Sequence, residues 1–118
     1  MSAVVSSELE LRMARLKRDF RRRLESEADD LRELAGDDDD QLDRSRILEI
    51  AHRLIGSAAQ FGFPEVSLAA ERLHEGAIDP ASSGAELTMR LRGLVGAIEG
   101  GLRGRRTRSH EAVRAIGL

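Results

Sequence analysis

The apolar residues of this chain recur every three or four positions, in four separate stretches, and nowhere alternate with period two over a sustained run. That spacing marks one face of an α-helix, which turns about 100° per residue; a half-buried strand would need strict alternation. Leu9, Met13, Leu16, Phe20, Leu24, Ala28, Leu31 and Leu34/Ala35 form the first stripe. Ser6 or Ser7 can cap its start and Gly36 its end, which predicts a long amphipathic helix over about 8–35. A second helix is expected over about 41–61, capped by Asp40 or Asp43 and closed by Gly62, with the neighbouring acids complementing its dipole. Pro64 suits the first turn of a third helix, about 64–78, whose stripe is Val66, Ala69/Ala70, Leu73 and Ala77. Asp79-Pro80 stops it. Ser83-Gly84-Ala85-Glu86 has capping-box spacing and opens a fourth helix through Leu87, Leu91, Leu94/Val95, Ile98 and Leu102.

Short links make consecutive helices antiparallel neighbours, so the expected fold is all-α. It is an antiparallel up-down four-helix bundle over about 8–103, with a basic tail over about 104–118, together forming a single domain. Gly93, Gly96, Gly100 and Gly101 each weaken the fourth helix by up to ~1 kcal/mol relative to Ala, and close approach of neighbouring backbones is the expected reason for them. In the tail, Arg103, Arg105, Arg106 and Arg108 cluster, and Ser109 can cap a short final helix carrying Val113 and Ile116. Loose packing is expected there.

Composition narrows the functional classes. Leu, Ile, Val and Phe make up about a quarter of the 118 residues, above the roughly 20% floor for chains that fold. With no Cys there is no disulfide scaffold and no thiol catalysis, and with no Trp or Tyr there is no stacking platform for single-stranded nucleic acid. A net charge of −2 supplies no global field to recruit nucleic acid, and the basic tail alone is thin ground for a DNA-associated reading. No apolar run approaches the ~20 residues of a membrane span, and MSAVVSSELE lacks the basic start and apolar stretch of a signal peptide. A cytoplasmic location without membrane contact is expected. The interleaved charges of the first helix (Arg12, Arg15, Arg18, Arg21, Arg22 and Arg23 against Glu8, Glu10, Asp19, Glu25 and Glu27) read as a solvated outer face. The run Asp37–Asp40 lacks the alternating ligands and distal Glu of a Ca²⁺ loop, so no cofactor or metal of the chain's own is expected.

One residue of the second helix fits no structural job. Ile47, Ile50, Ala51, Leu54, Ala58 and Phe61 share one face, and His52 lies opposite, with Ser45, Glu49 and Gly56 beside it. Gly56 sits one turn beyond His52 in a helix interior, where Gly costs about 0.5–1 kcal/mol against Ala. That cost makes sense where something must approach the imidazole closely. Leu48, Ile55 and Ala59 flank His52 as a partly exposed apolar patch, the kind of surface that marks docking sites. An accessible imidazole, a notch and an apolar platform together describe a nucleophile presented to another protein.

The stretch Ala51-His52-Arg53-Leu54-Ile55-Gly56-Ser57-Ala58-Ala59-Gln60-Phe61-Gly62 resembles the histidine-containing phosphotransfer (HPt) domain family. The family pattern is A-H-x-L-K-G-[SA]-[AS]-x-x-x-G, followed by a helix containing A-x-x-L-E. Ala51, His52, Leu54, Gly56, Ser57, Ala58 and Gly62 match, and Ala70-Glu71-Arg72-Leu73 continues the match. The resemblance implies a phosphoryl group on Nε2 of His52, with Gly56 leaving room for it and for an incoming receiver domain that docks on Leu48, Glu49, Ile55 and Ala59. It implies a stand-alone phosphorelay intermediate between response-regulator receiver domains, charged through a hybrid histidine kinase, with Mg²⁺ supplied by the partner receiver. The chain has no Gly-rich phosphate loop and no kinase signature, so it is expected to be a carrier and not an enzyme.

Two positions depart from the pattern. The usual Lys three residues after the histidine is Ile55, and whether Arg53, about 100° around the helix, substitutes for it is open. The residue after the third-helix Leu, often Glu or Gln, is His74, for which packing and contact with His52 both remain open. A metal site from His52 and His74 lacks the third ligand that zinc needs. The alternative function is a degenerate helical adaptor that binds receiver or kinase domains without being phosphorylated.

Overall fold

The computed structural model describes residues 2–36 and 38–116, with side chains over 7–36 and 38–104. Four helices form: α1 (Ser2–Ala35), α2 (Arg44–Gln60), α3 (Pro64–Ile78) and α4 (Gly84–Ile116), with a 3₁₀ turn at Asp39–Gln41 and no strand among the described residues. α1 packs on α4, α4 on α3 and α3 on α2, while α1 and α2 touch more sparsely. The four-helix, all-α architecture expected from the periodicity is the one observed.

Most boundaries follow their signals. Asp43 caps α2, its carboxylate accepting from the Arg46 N–H at 3.1 Å. Asp40 does not cap, and α2 begins at Arg44 instead of near 41. The intervening residues are held by α4: the Thr88 hydroxyl donates to the Asp39 carboxylate at 2.7 Å. Gly84 lets the Asp39 backbone lie against the start of α4, where a Cβ would stand only 2.1 Å from the Asp39 carbonyl oxygen. At the other end of α2, Gly62 takes φ of 86°. The Phe63 N–H then reaches the Ala58 carbonyl at 2.7 Å and the Gly62 N–H the Ala59 carbonyl at 3.3 Å, the paired bonds of a Schellman stop. Pro64 occupies the first turn of α3, where its missing N–H removes nothing. Half of the expected capping box forms at α4. The Ser83 hydroxyl accepts from the Glu86 N–H at 3.1 Å, but the Glu86 carboxylate turns to Arg90 at 3.0 Å.

Both long helices exceed their expected ends. α1 runs through Ser6 and Ser7, so neither is a cap, and α4 continues unbroken to Ile116 without restarting at Ser109. No proline interrupts either extension, and a helix already nucleated adds residues at little cost. The side chains of Arg105, Arg106, Arg108, Val113 and Ile116 lie outside those described.

The core gathers Phe20, Leu24, Leu31, Ile47, Ile50, Leu54, Val66, Leu73, Leu87, Leu91, Leu94 and Ile98, all buried. Leu9, Met13 and Leu16, expected in the same stripe, remain 54, 48 and 45% exposed. The reason is length: α2 and α3, with 17 and 15 residues, cannot cover a 34-residue α1. Phe20 stacks on Phe61 with ring centroids 4.7 Å apart and meets Phe63 at 5.9 Å, which ties α1 to the α2–α3 link. Phe61 itself stays half-buried at the edge of the core.

Close backbone approach explains none of the four α4 glycines, and only Gly101 is crowded at all, by a side chain. A Cβ on Gly101 would stand 3.0 Å from the Phe63 ring, whereas Gly93, Gly96 and Gly100 have nothing within 4 Å. Gly96→Ala should therefore raise stability by about 0.5–1 kcal/mol through helix propensity alone. Gly84→Ala should lower it by about 1–3 kcal/mol, because the Asp39 backbone has to move. Urea denaturation midpoints of the two variants check both signs.

Candidate functional site

α2 and α3 are joined by residues 61–63, and the hairpin's pairings step outward from that link: Ala58 with Phe63, Ile55 with Ser67, His52 with His74. The Ser67 hydroxyl donates to the Ile55 carbonyl across the two helices, which fixes their register. About one turn further along α2 and two along α3, the imidazoles of His52 and His74 stand with centroids 6.1 Å apart and planes inclined by 39°. His52 is exposed and His74 half-buried.

Around His52 the α2 surface divides by chemistry. Gly56, one turn on, is exposed, and a Cβ there would meet nothing within 4 Å, so the notch is open space and not a packing contact. Leu48 and Ile55 are half-buried against the core and Ala59 is exposed. The exposed Glu49 carboxylate receives Arg46 at 3.1 Å, and Arg46 also reaches Asp30 at 3.8 Å. The Ser57 hydroxyl is satisfied within α2 by the Arg53 carbonyl at 2.7 Å.

Arg53 is directed to α1, where its guanidinium pairs with Glu27 at 3.2 Å. Glu27 does not belong to the solvated outer face: it is 7% exposed, and its second oxygen, Oε2, is buried without a partner among the described residues. Burial pushes its carboxyl above the usual 4.5, opposed chiefly by the Arg53 charge. The periodicity holds the signal for this, since position 27 falls three residues after Leu24 and four before Leu31, on the apolar stripe. His74 thus comes beside His52, while the charge of Arg53 goes to an internal acid.

The Hpt domain family matches residues 15–101 of this chain. This protein belongs to the Hpt domain family. The matched span coincides with the packed part of the bundle, whose buried apolar residues run from Phe20 to Ile98. No match was found among curated proteins or among solved structures. Hpt domains are phosphoryl carriers of two-component relays that work with receiver domains and histidine kinases, and they contain no ATP-binding machinery. Among the described residues of this Hpt domain, no helix is long and apolar enough to cross a membrane.

The Glu27–Arg53 pair carries a pH signature. Because the folded-state pKa of Glu27 lies above its unfolded value, the fold favours the protonated carboxyl. That contribution is complete below about pH 4.5 and is lost as pH rises through the raised value. Glu27→Gln keeps an acceptor oxygen for Arg53 and carries no charge. It should stabilise the domain by about 1 kcal/mol at neutral pH, with the gain vanishing in acid. Thermal unfolding of both proteins across the pH range reads this difference.

Proposed function

We propose that His52 accepts a phosphoryl group from the aspartyl phosphate of one receiver domain and passes it to the aspartate of another. The Nε2 lone pair attacks phosphorus, the bond from phosphorus to the aspartyl oxygen breaks, and the carboxylate leaves. The second transfer reverses these steps on a different receiver. Mg²⁺ held by the receiver would offset the charge gathering on the phosphoryl oxygens, so this chain has to supply only a nucleophile and its placement. Its sequence contains no phosphate-binding loop with which to charge itself from ATP. A hybrid histidine kinase is the proposed upstream source.

The observation that carries this reading is the exposed imidazole one turn from an empty Gly56 position, inside the span matched by the family. Leu48, Ile55 and Ala59 supply apolar surface around the imidazole, with Glu49 at the rim, and these residues form the proposed receiver footprint. The adaptor reading draws on Ile55, which stands where the family's Lys is usual, and on the diversion of Arg53 to Glu27, which leaves that cation unreplaced by its neighbour.

Two substitutions test the proposal. His52→Gln should fold normally, since the position is exposed, and should lose all phosphoryl acceptance from a phosphorylated receiver domain. Label carried instead by His74 or His110 would reassign the acceptor, and unphosphorylated wild type that still binds receivers would favour the adaptor. Gly56→Leu should leave stability equal or higher, because the space is empty. It should slow transfer by about a hundredfold, the scale on which a displaced reacting pair loses rate. Phosphoryl-transfer time courses from a labelled receiver measure both.

A further inference from the structure

We propose that the part of α1 reaching past the α2–α3 link is a docking shelf for an acidic amphipathic helix of a partner protein. The proposal is independent of the phosphoacceptor reading of His52. Phe20 stacks on Phe61 at that link, so the turns of α1 before Phe20 run beyond the end of α2. Residues 7–19 are all exposed, yet their apolar side chains are not scattered. Leu9, Met13, Leu16 and Phe20 follow one another at steps of four, three and four. That is the seven-residue repeat of a helix–helix seam, and three of its four members are exposed.

The shelf has a floor and an end wall. The seam is the floor, and the wall is the link, where Phe61 lies half-buried beside Phe20. A helix laid along the seam continues the line of α2 and covers Leu9, Met13, Leu16 and the free edge of Phe61, with anchors one turn apart. A flat lipid surface fits poorly, because the stripe faces the side of α1 on which the link projects. A second copy fits poorly for reasons of charge. In a parallel pair of such seams, Arg12 would face Lys17 of the second copy. In an antiparallel pair short enough to clear the link, Arg12 would face Arg12.

The sign of the charge selects the occupant. Residues 12–23 hold seven basic side chains and one acidic one, in a chain whose net charge is −2. Arg12, Arg15, Lys17, Arg18 and Arg22 make no hydrogen bond or ion pair among the described residues. α4 reaches the same end of the bundle, where Arg21 donates to the Leu102 carbonyl, and four of its next six residues are arginine. Beside the seam itself, Glu10 and Asp19 balance Arg12 and Lys17, so the surrounding cations set the field. That field draws in an acidic partner and disfavours a basic one.

This face is separate from the proposed receiver footprint. Arg53, next to His52, pairs with Glu27, and Leu16 and Leu9 lie 11 and 18 residues before Glu27 on α1. At 1.5 Å per residue the shelf is about 16–27 Å along the helix from that level. A helix docked there leaves His52 open, so one partner can hold the domain while another reaches the imidazole.

Two synthetic helical peptides test the proposal. Both carry Leu at the seam positions of a seven-residue repeat, one flanked by Glu and the other by Lys. Each is titrated into the full chain at about 0.15 M ionic strength and followed by backbone amide NMR. The Glu peptide should shift residues 7–20, leave the surroundings of His52 unmoved, and bind about tenfold more tightly than the Lys peptide. Leu9→Ser with Leu16→Ser should weaken that binding by about tenfold or more. Arg12→Glu with Lys17→Glu should reverse the preference between the peptides. All four positions are exposed, so these variants keep the fold. Absence of binding, equal affinity for the two peptides, or shifts gathered around His52 overturns the proposal. A dimer in sedimentation that the double Ser variant loses gives the face to a second copy and overturns it as well. Phosphatidylserine vesicles that bind wild type but not that variant, with the Glu peptide inert, give the face to a lipid surface and do the same.

Discussion

The three-residue link between α2 and α3 sets the geometry on which the candidate site depends. Gly62 ends α2 in a left-handed conformation, Phe63 returns its N–H to Ala58, and Pro64 starts α3 at once. With so little chain to spend, the two helices have one register, and Ser67 locks it at Ile55. His52 and His74 are then neighbours by construction, 22 residues apart in the chain but one groove apart in space. Phe63 adds a second role, packing on Phe20 and Gly101, so the turn that orients the site is also anchored in the core.

What the sequence conveyed well was whatever acts locally. Stops at Gly62 and Asp79, the start at Pro64, the cap at Asp43, and the opposition of His52 to the Ile47–Ala58 face all depend on a few consecutive residues, and all appear in the structure. What it concealed depends on partners distant in sequence. Asp40 looked as good a cap as Asp43 until α4 took hold of Asp39 through Thr88 and the bare backbone of Gly84. Leu9, Met13 and Leu16 have core periodicity, but periodicity states only which face is apolar and says nothing of whether another helix is long enough to cover it. Glu27 was hidden for a different reason. Its charge places it with the outer residues and its position places it with Leu24 and Leu31, and position prevailed because Arg53 was in reach.

At the candidate site the same division holds. Gly56 and the apolar flank of Leu48, Ile55 and Ala59 could be read from one helix. The relation of His74 to His52 needed the hairpin register, and the fate of Arg53 needed α1. A helical wheel resolves angles about one axis, while each of these facts concerns two axes. The family pattern, being a pattern of one chain segment at a time, also leaves cross-helix substitutions to be worked out from coordinates.

The Glu27–Arg53 pair has an effect that reaches past stability. By neutralising the cation nearest His52 in sequence, it would leave the proposed receiver footprint with little long-range pull on an acidic receiver pocket. Encounters on the proposed relay pathway then proceed at something closer to the unsteered rate, about 10⁵–10⁶ M⁻¹s⁻¹, and discrimination falls to how long each complex survives. Charge attracts all receivers of similar polarity alike; an apolar fit rewards only the shape that fills it. On the proposed relay function, a carrier built this way would give up speed for insulation between one relay and another.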